Sequence, residues 1–215
     1  MKIKKTEKLQ DLLDKDMAWR KKELINIKLL IHSTKNKTLC RAGIALLSAH
    51  FEGFIKQAAN LYIVHVSCQK IKLSDLRTNF VAIHLGKTFD KCATSDKITV
   101  YQHVIDNFLI KYKIDIFRVK YDPNKPIIKT EANPSSTVVK NIFESIGLDF
   151  SPYETKTRYI DSDLLSNRHS IVHGENVDIE LSEFDNTFTI ITKMMAEFSE
   201  QILGAAINKD YLINA

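Results

Sequence analysis

The chain has 215 residues, 44% of them apolar and 27% charged, and Lys plus Arg exceed Asp plus Glu by 31 to 26. That length suffices for one substantial core and is short for two, so a single domain over residues 1–215 is expected. The composition excludes a disordered coat, and a net +5 suits a polyanionic partner while falling far short of a histone-like charge.

Only 6 Gly and 4 Pro occur, where average usage gives about 15 and about 11 in such a chain. Scarcity of the two strongest helix interrupters predicts an all-α protein. The basic start would suit a signal peptide, but Thr6, Glu7, Lys8, Gln10, Asp11 and Asp14 stand where an apolar core should follow. No stretch approaches the roughly 18 apolar residues of a membrane span. A cytoplasmic protein that is neither exported nor membrane-bound is expected. Cys40, Cys68 and Cys92 form no CxxC pair, which predicts reduced, mostly buried thiols rather than a disulfide framework or zinc knuckle.

Leu9, Leu12, Leu13, Met17, Leu24, Ile27 and Ile31 recur at helical spacing, which predicts one long amphipathic helix over about residues 5–33. After a polar break at 33–37, residues 39–66 contain no Pro and are apolar nearly all round, the pattern of a buried central helix. Within it, Arg41, Ser48, Glu52 and Lys56 share a side, with Glu52 and Lys56 spaced to pair. Ser74 with Asp75, and Ser95 with Asp96, should open a third helix toward Ala93 and a fourth toward Lys113. Residues 114–134 break into short β-prone pieces at 117–121 and 127–129, an irregular insertion with a loop or small hairpin. Ser135 or Ser136 should cap a helix ending near Gly147. Ser162 should cap another that carries Arg168 and His173 and stops at Gly174. Ser182 and Asp185 form a variant capping box for a last helix to about Ala206.

The segment Asn167-Arg168-His169-Ser170-Ile171-Val172-His173-Gly174-Glu175 concentrates a guanidinium and two imidazoles within six positions. Arg offers a planar fork of donors matched to phosphate oxygens and is always charged. His titrates near neutrality, so it can take a proton from an RNA 2′-hydroxyl or give one to a leaving 5′-oxygen without a metal. Five steps of about 100° put Arg168 and His173 about 140° apart on an ideal helix. Convergence on one phosphate therefore needs the helix to unwind near Gly174 or two copies to face each other as a symmetric dimer. His169 and His173, four apart, share a face, which is also the spacing of two helical metal ligands. No HExxH glutamate or third ligand accompanies them. Arg168 paired to an acid, with both His residues as ordinary polar groups, is the structural alternative.

The segment from Arg168 to His173 resembles the RxxxxH signature of the HEPN superfamily, with His169 in the polar place after the Arg. Trp19-Arg20-Lys21-Lys22-Glu23-Leu24, Arg41-Ala42-Gly43-Ile44 and Ala49-His50-Phe51-Glu52-Gly53-Phe54-Ile55-Lys56 are similar to stand-alone MAE-type HEPN nucleases. The resemblance implies an all-α HEPN-type bundle with long antiparallel helices, acting as a homodimer. It also implies ribonuclease activity without metal or other cofactor, in defence or toxin–antitoxin settings. His173 would be general acid/base, Arg168 would hold the scissile phosphate and His169 would position it. Asn167, Glu52 and His50 would support them. RNA, including single-stranded loops such as those of tRNA, and an antitoxin or defence partner are the expected partners. A non-catalytic RNA- or nucleotide-binding dimer and a zinc hydrolase built on His169 and His173 are the rival readings. The run Arg20-Lys21-Lys22 could follow an RNA backbone or be a solvated helix face.

Overall fold

The computed structural model describes residues 1–130 and 134–214, without the side chains of Lys87, Lys91 and Asn107. Helix α1 (Thr6–Thr34) and helix α2 (Lys37–Cys68) are joined by Lys35 and Asn36. Lys35 takes the left-handed conformation (φ 50°) and sends its N–H to the Ile31 carbonyl, closing α1. Asn36 then accepts the Thr38 N–H at 2.8 Å, capping α2. The two helices run antiparallel: Ile31 meets Gly43, Arg20 meets His50 and Gly53, and Ile3 meets His65.

Helix α2 is the centre of the bundle, buried on all sides from Ala58 to Val66. Two glycines let neighbours approach it closely. A Cβ on Gly43 would stand 2.7 Å from the Phe184 ring, and one on Gly53 would stand 2.6 Å from the Arg20 guanidinium. Arg20 is thereby buried. It binds Asp16 at 2.9 Å, donates to the His50 carbonyl at 3.3 Å and stacks over Trp19 at 4.6 Å. Arg20 is therefore neither on an RNA-tracking face nor on a solvated one but a joint between α1 and α2.

Helix α3 (Thr78–Ala93) and helix α4 (Ile98–Lys111) follow a 3₁₀ turn at Leu73–Asp75. Neither begins where the serines suggested. The Ser74 hydroxyl goes to Asp75 within the 3₁₀ turn, and the chain then extends at Leu76, which bridges to Leu212. Burial of Leu73 and Leu76 holds this detour in place. Ser95 accepts the Lys97 N–H at 3.3 Å, making a turn before the helix rather than its cap.

Among the described residues the insertion holds no strand, and its β-pairing is limited to the isolated bridge between Lys72 and Ile116. Residues 131–133 lie outside the described set. The buried Asn60 side chain replaces the missing hairpin partner. Its Oδ1 accepts from the N–H of Ile127 (2.8 Å) and of Ile128 (3.2 Å), while Nδ2 donates to the Ile128 carbonyl (3.1 Å). One side chain of α2 thus satisfies backbone groups that would otherwise need a second strand.

Ser135 caps helix α5 (Ser136–Ser145), as expected, and Gly147 (φ 75°) stops it. The helical turn beginning at Thr157 starts well before Ser162, which lies inside a π-helical stretch, Tyr159–Ser166. This runs directly into helix α6 (Asn167–Val172). Helix α7 (Leu181–Asn208) has no side-chain cap and no capping box. Its acids are engaged elsewhere: Glu180 with Lys37 at 2.6 Å, and Asp185 with Lys28 at 3.1 Å and His32 at 2.8 Å. Ties from α7 to α1 and α2 replace the local cap.

Of the three free cysteines only Cys40 is fully buried; Cys68 accepts the Ile3 N–H at 3.3 Å. Among the described residues, no helix is long and apolar enough to cross a membrane.

Candidate active site

The RxxxxH segment is delivered by a helix of irregular pitch. Ile160 and Leu164 anchor the π stretch in the core, and Asp161 accepts both the N–H (2.7 Å) and the hydroxyl (2.5 Å) of Ser136 at the start of α5. Asn167, at the junction with α6, donates its side-chain amide to the Asp163 carbonyl at 3.0 Å. This contact is with the backbone of its own helix. π segments inside helices recur at functional sites because the wider turn re-aims the side chains beyond it.

The other end is a glycine stop. Gly174 (φ 76°) is the left-handed residue after the cap His173, with its N–H on the Ile171 carbonyl (3.1 Å) and the Glu175 N–H on the Ser170 carbonyl (2.9 Å). These two bonds make a Schellman motif. In place of the usual apolar contact across it, the Ser170 hydroxyl donates to the Glu175 carboxylate at 2.6 Å. His173 itself has φ −85° and ψ 4°, outside the helix. Its N–H still bonds the His169 carbonyl at 3.1 Å, so within one copy Arg168 and His173 stay roughly 140° apart around the helix axis.

Arg168 is half-buried on α6, whereas His169 and His173 are exposed. The two imidazoles lie with ring centroids 4.3 Å apart at 54°. Ile171 turns inward onto a small apolar cluster of Ile31, Cys40, Ile44, Ile179 and Phe184, while Val172 is exposed. One face of α6 is therefore held by α1, α2 and α7, and the imidazoles stand on solvent.

Arg41 of α2 completes the support by donating to the Glu175 carbonyl at 2.7 Å. Lys37 clamps Asp178 (2.7 Å) and Glu180 (2.6 Å) further along the same connection. The roles of Ser170, Glu175 and Lys37 were not recognised in the sequence. Ser170 and Glu175 were in principle legible as the positions bracketing a Gly174 stop. Lys37 carried no signal, because its partners lie about 140 positions away in sequence.

Two supporting candidates have their own surroundings. Glu52 accepts the hydroxyl of the buried Thr130 at 2.5 Å, a partner supplied by the insertion rather than Lys56 or Arg41. His50 is only 4% exposed, and its described contacts are all with α1. Trp19 meets its ring edge-on at 5.1 Å. The Glu23 carboxylate lies 2.8 Å from Nε2, off hydrogen-bond alignment. Burial pushes the His50 pKa below its ordinary value of 6.5, against the pull of Glu23, and Arg20 adds to the depression. His50 belongs to the joint between α1 and α2.

Among the described residues, no group of three His, Cys, Asp or Glu side chains is placed to hold a metal ion.

A helical bundle built on two long antiparallel helices, with RxxxxH at the exposed end of a shorter one, defines the class of this protein as a HEPN-type fold. Residues 15–204 match the family model described as RiboL-PSP-HEPN, and the chain belongs to that HEPN family. The narrower likeness to MAE-type nucleases rests on the sequence blocks alone. No curated protein and no solved structure matches the chain.

Proposed function

We propose that the protein is a metal-independent endoribonuclease that cuts at the ribose-phosphate linkage through His173, Arg168 and His169. The observation that carries this reading is the pairing of two exposed imidazoles, His169 and His173 with ring centroids 4.3 Å apart, beside the Gly174 stop and within five residues of Arg168. In this chemistry an imidazole takes the proton of a 2′-hydroxyl, and the 2′-oxygen bonds to phosphorus. The bond to the 5′-oxygen breaks and that oxygen is protonated. The products are a 2′,3′-cyclic phosphate and a 5′-hydroxyl. Arg168 holds the phosphate and offsets the charge gained in the transition state, and His169 orients it.

The reading includes a homodimer in which two α6 ends face each other across a twofold axis; exposed Val172 suits such a contact. It also includes a cytoplasmic setting, in anti-phage defence or a toxin–antitoxin pair, with a partner protein restraining the activity. Single-stranded regions such as tRNA loops are the proposed targets, since unpaired nucleotides can splay for in-line attack.

The test is incubation of the purified chain with total RNA in excess chelator, beside Arg168→Ala and His173→Ala, with mapping of the cut ends. Cyclic-phosphate ends from the wild type alone are the expected result. Activity lost to chelator and restored by zinc would transfer His169 and His173 to a metal site. RNA bound but never cut would make the protein a non-catalytic binder.

A further inference from the structure

Charge is distributed unevenly along this chain. Residues 131–215, which contain the RxxxxH segment, carry six Lys and Arg against fourteen Asp and Glu, a net −8. Residues 1–69 carry thirteen against six, a net +7, and residues 70–130 carry twelve against six, a net +6. The cutting segment thus lies in the most acidic part of the sequence, with Lys28 and Lys37 offsetting Asp178, Glu180 and Asp185 in space, and the more basic middle is where further affinity for RNA is to be sought.

The basic middle contains a groove with the chemistry to do so. Helices α3 and α4 leave a cleft of about 690 Å³ between them, from Thr99 to Lys111 along α4. The twelve helical steps from Thr99 to Lys111 make it roughly 18 Å long. Phe89 lines it with a ring 49% exposed, and Phe108 and His103 line it from α4. Lys111 and Asp115 stand toward the far end, near His84. The His84 Nδ1 accepts the Arg118 N–H at 3.4 Å, which leaves Nε2–H as a donor. Half-exposed aromatic faces beside cationic and hydrogen-bonding groups form the arrangement that binds single strands: bases stack, and cations hold the backbone. By contrast, the cleft beside Lys2, Lys4, Lys5 and Lys8 at the start of the chain has no aromatic lining.

We propose that the α3–α4 groove seats single-stranded RNA, with a base stacked on Phe89 and the backbone held by Lys111, and so adds affinity to that of the cutting end. This rests on the RNA-cutting reading and adds to it a holding site separate from the site of cleavage.

The experiment measures fluorescence anisotropy of a labelled 12-nucleotide single-stranded RNA on full-length His173→Ala protein across a salt series. Phe89→Ala should weaken binding about tenfold with an unchanged salt slope, since stacking releases no counterions. Lys111→Glu should weaken it at least as much and lower the slope by about one or more. Circular dichroism melts of both variants control for folding. Binding within twofold of the parent for both folded variants overturns the proposal, as does loss confined to a Lys2→Glu/Lys4→Glu/Lys5→Glu variant. Equal affinity for a mononucleotide and for the oligomer would make the groove a free-nucleotide site, again overturning it. Unchanged RNA affinity with an altered oligomeric state would assign the groove to a second copy or a partner protein. Cleavage by the His173-containing chain, assayed separately, decides the catalytic reading whatever the groove does.

Discussion

Two histidine neighbourhoods in this molecule contrast sharply, and the difference separates structural from chemical use of one residue type. His50 is sealed between α1 and α2 under Trp19 and Arg20, and burial favours its neutral form. His169 and His173 stand in water at the end of α6, where only the backbone beneath them is fixed. A proton that must come and go needs the second setting; a fixed joint needs the first.

The largest effect that would break this contrast comes from His173. Its replacement by Ala should lower single-turnover RNA cleavage by about 10³-fold while leaving the melting temperature within error. Any comparable loss of stability would move His173 into the structural class. On the opposite side, Gly53→Ala pushes a methyl against the Arg20 guanidinium. It should cost about 1–3 kcal/mol in urea unfolding, and a neutral result would show that Arg20 is not wedged there.

Arg41 joins the two regions, because it sits on α2 and holds Glu175. Arg41→Ala should slow cleavage about tenfold, the equivalent of about 1.4 kcal/mol in the barrier, through kcat rather than KM. Arg41→Lys should recover part of it, and an equal loss in KM would instead mean that Arg41 meets the RNA directly. The smallest effect is one of pH. Burial lowers the pKa of both His50 and His65, so the unfolded chain binds more protons than the folded one as pH falls below about 6.5. Stability present above that value should therefore decline as pH falls toward the folded-state values. His50→Gln should flatten the decline in a series of melts from pH 7.5 to 5; an unaltered curve would free His50 from this role.

Long periodic segments were legible because their burial pattern is a local property repeated over many turns. Leu9 to Ile31 and the run around Phe54 carried it plainly. The glycine stop at Gly174 was equally legible, since glycine just past a helical run takes the left-handed position at no steric cost. Serine-marked helix starts were legible only at Ser135. Ser74, Ser95, Ser162 and Ser182 also looked like caps, yet α3 begins after Leu76 is held on Leu212 and α7 begins where Glu180 is held by Lys37. The insertion misled for the same reason, because Asn60 offers its backbone more than a second strand would.

Sequence alone determined the helical class, the central position of α2 and the identity of the RxxxxH segment, because periodicity and residue chemistry act over a few neighbouring positions. Tertiary structure decided which polar side chains are joints and which face water. It buried Arg20 and His50, gave Glu52 to Thr130, and set Arg41 and Ser170 to hold the turn after His173. Apart from Ser170 with Glu175, these are pairings between residues far apart in the chain, and the free energy of such a pair depends on burial that no local pattern encodes.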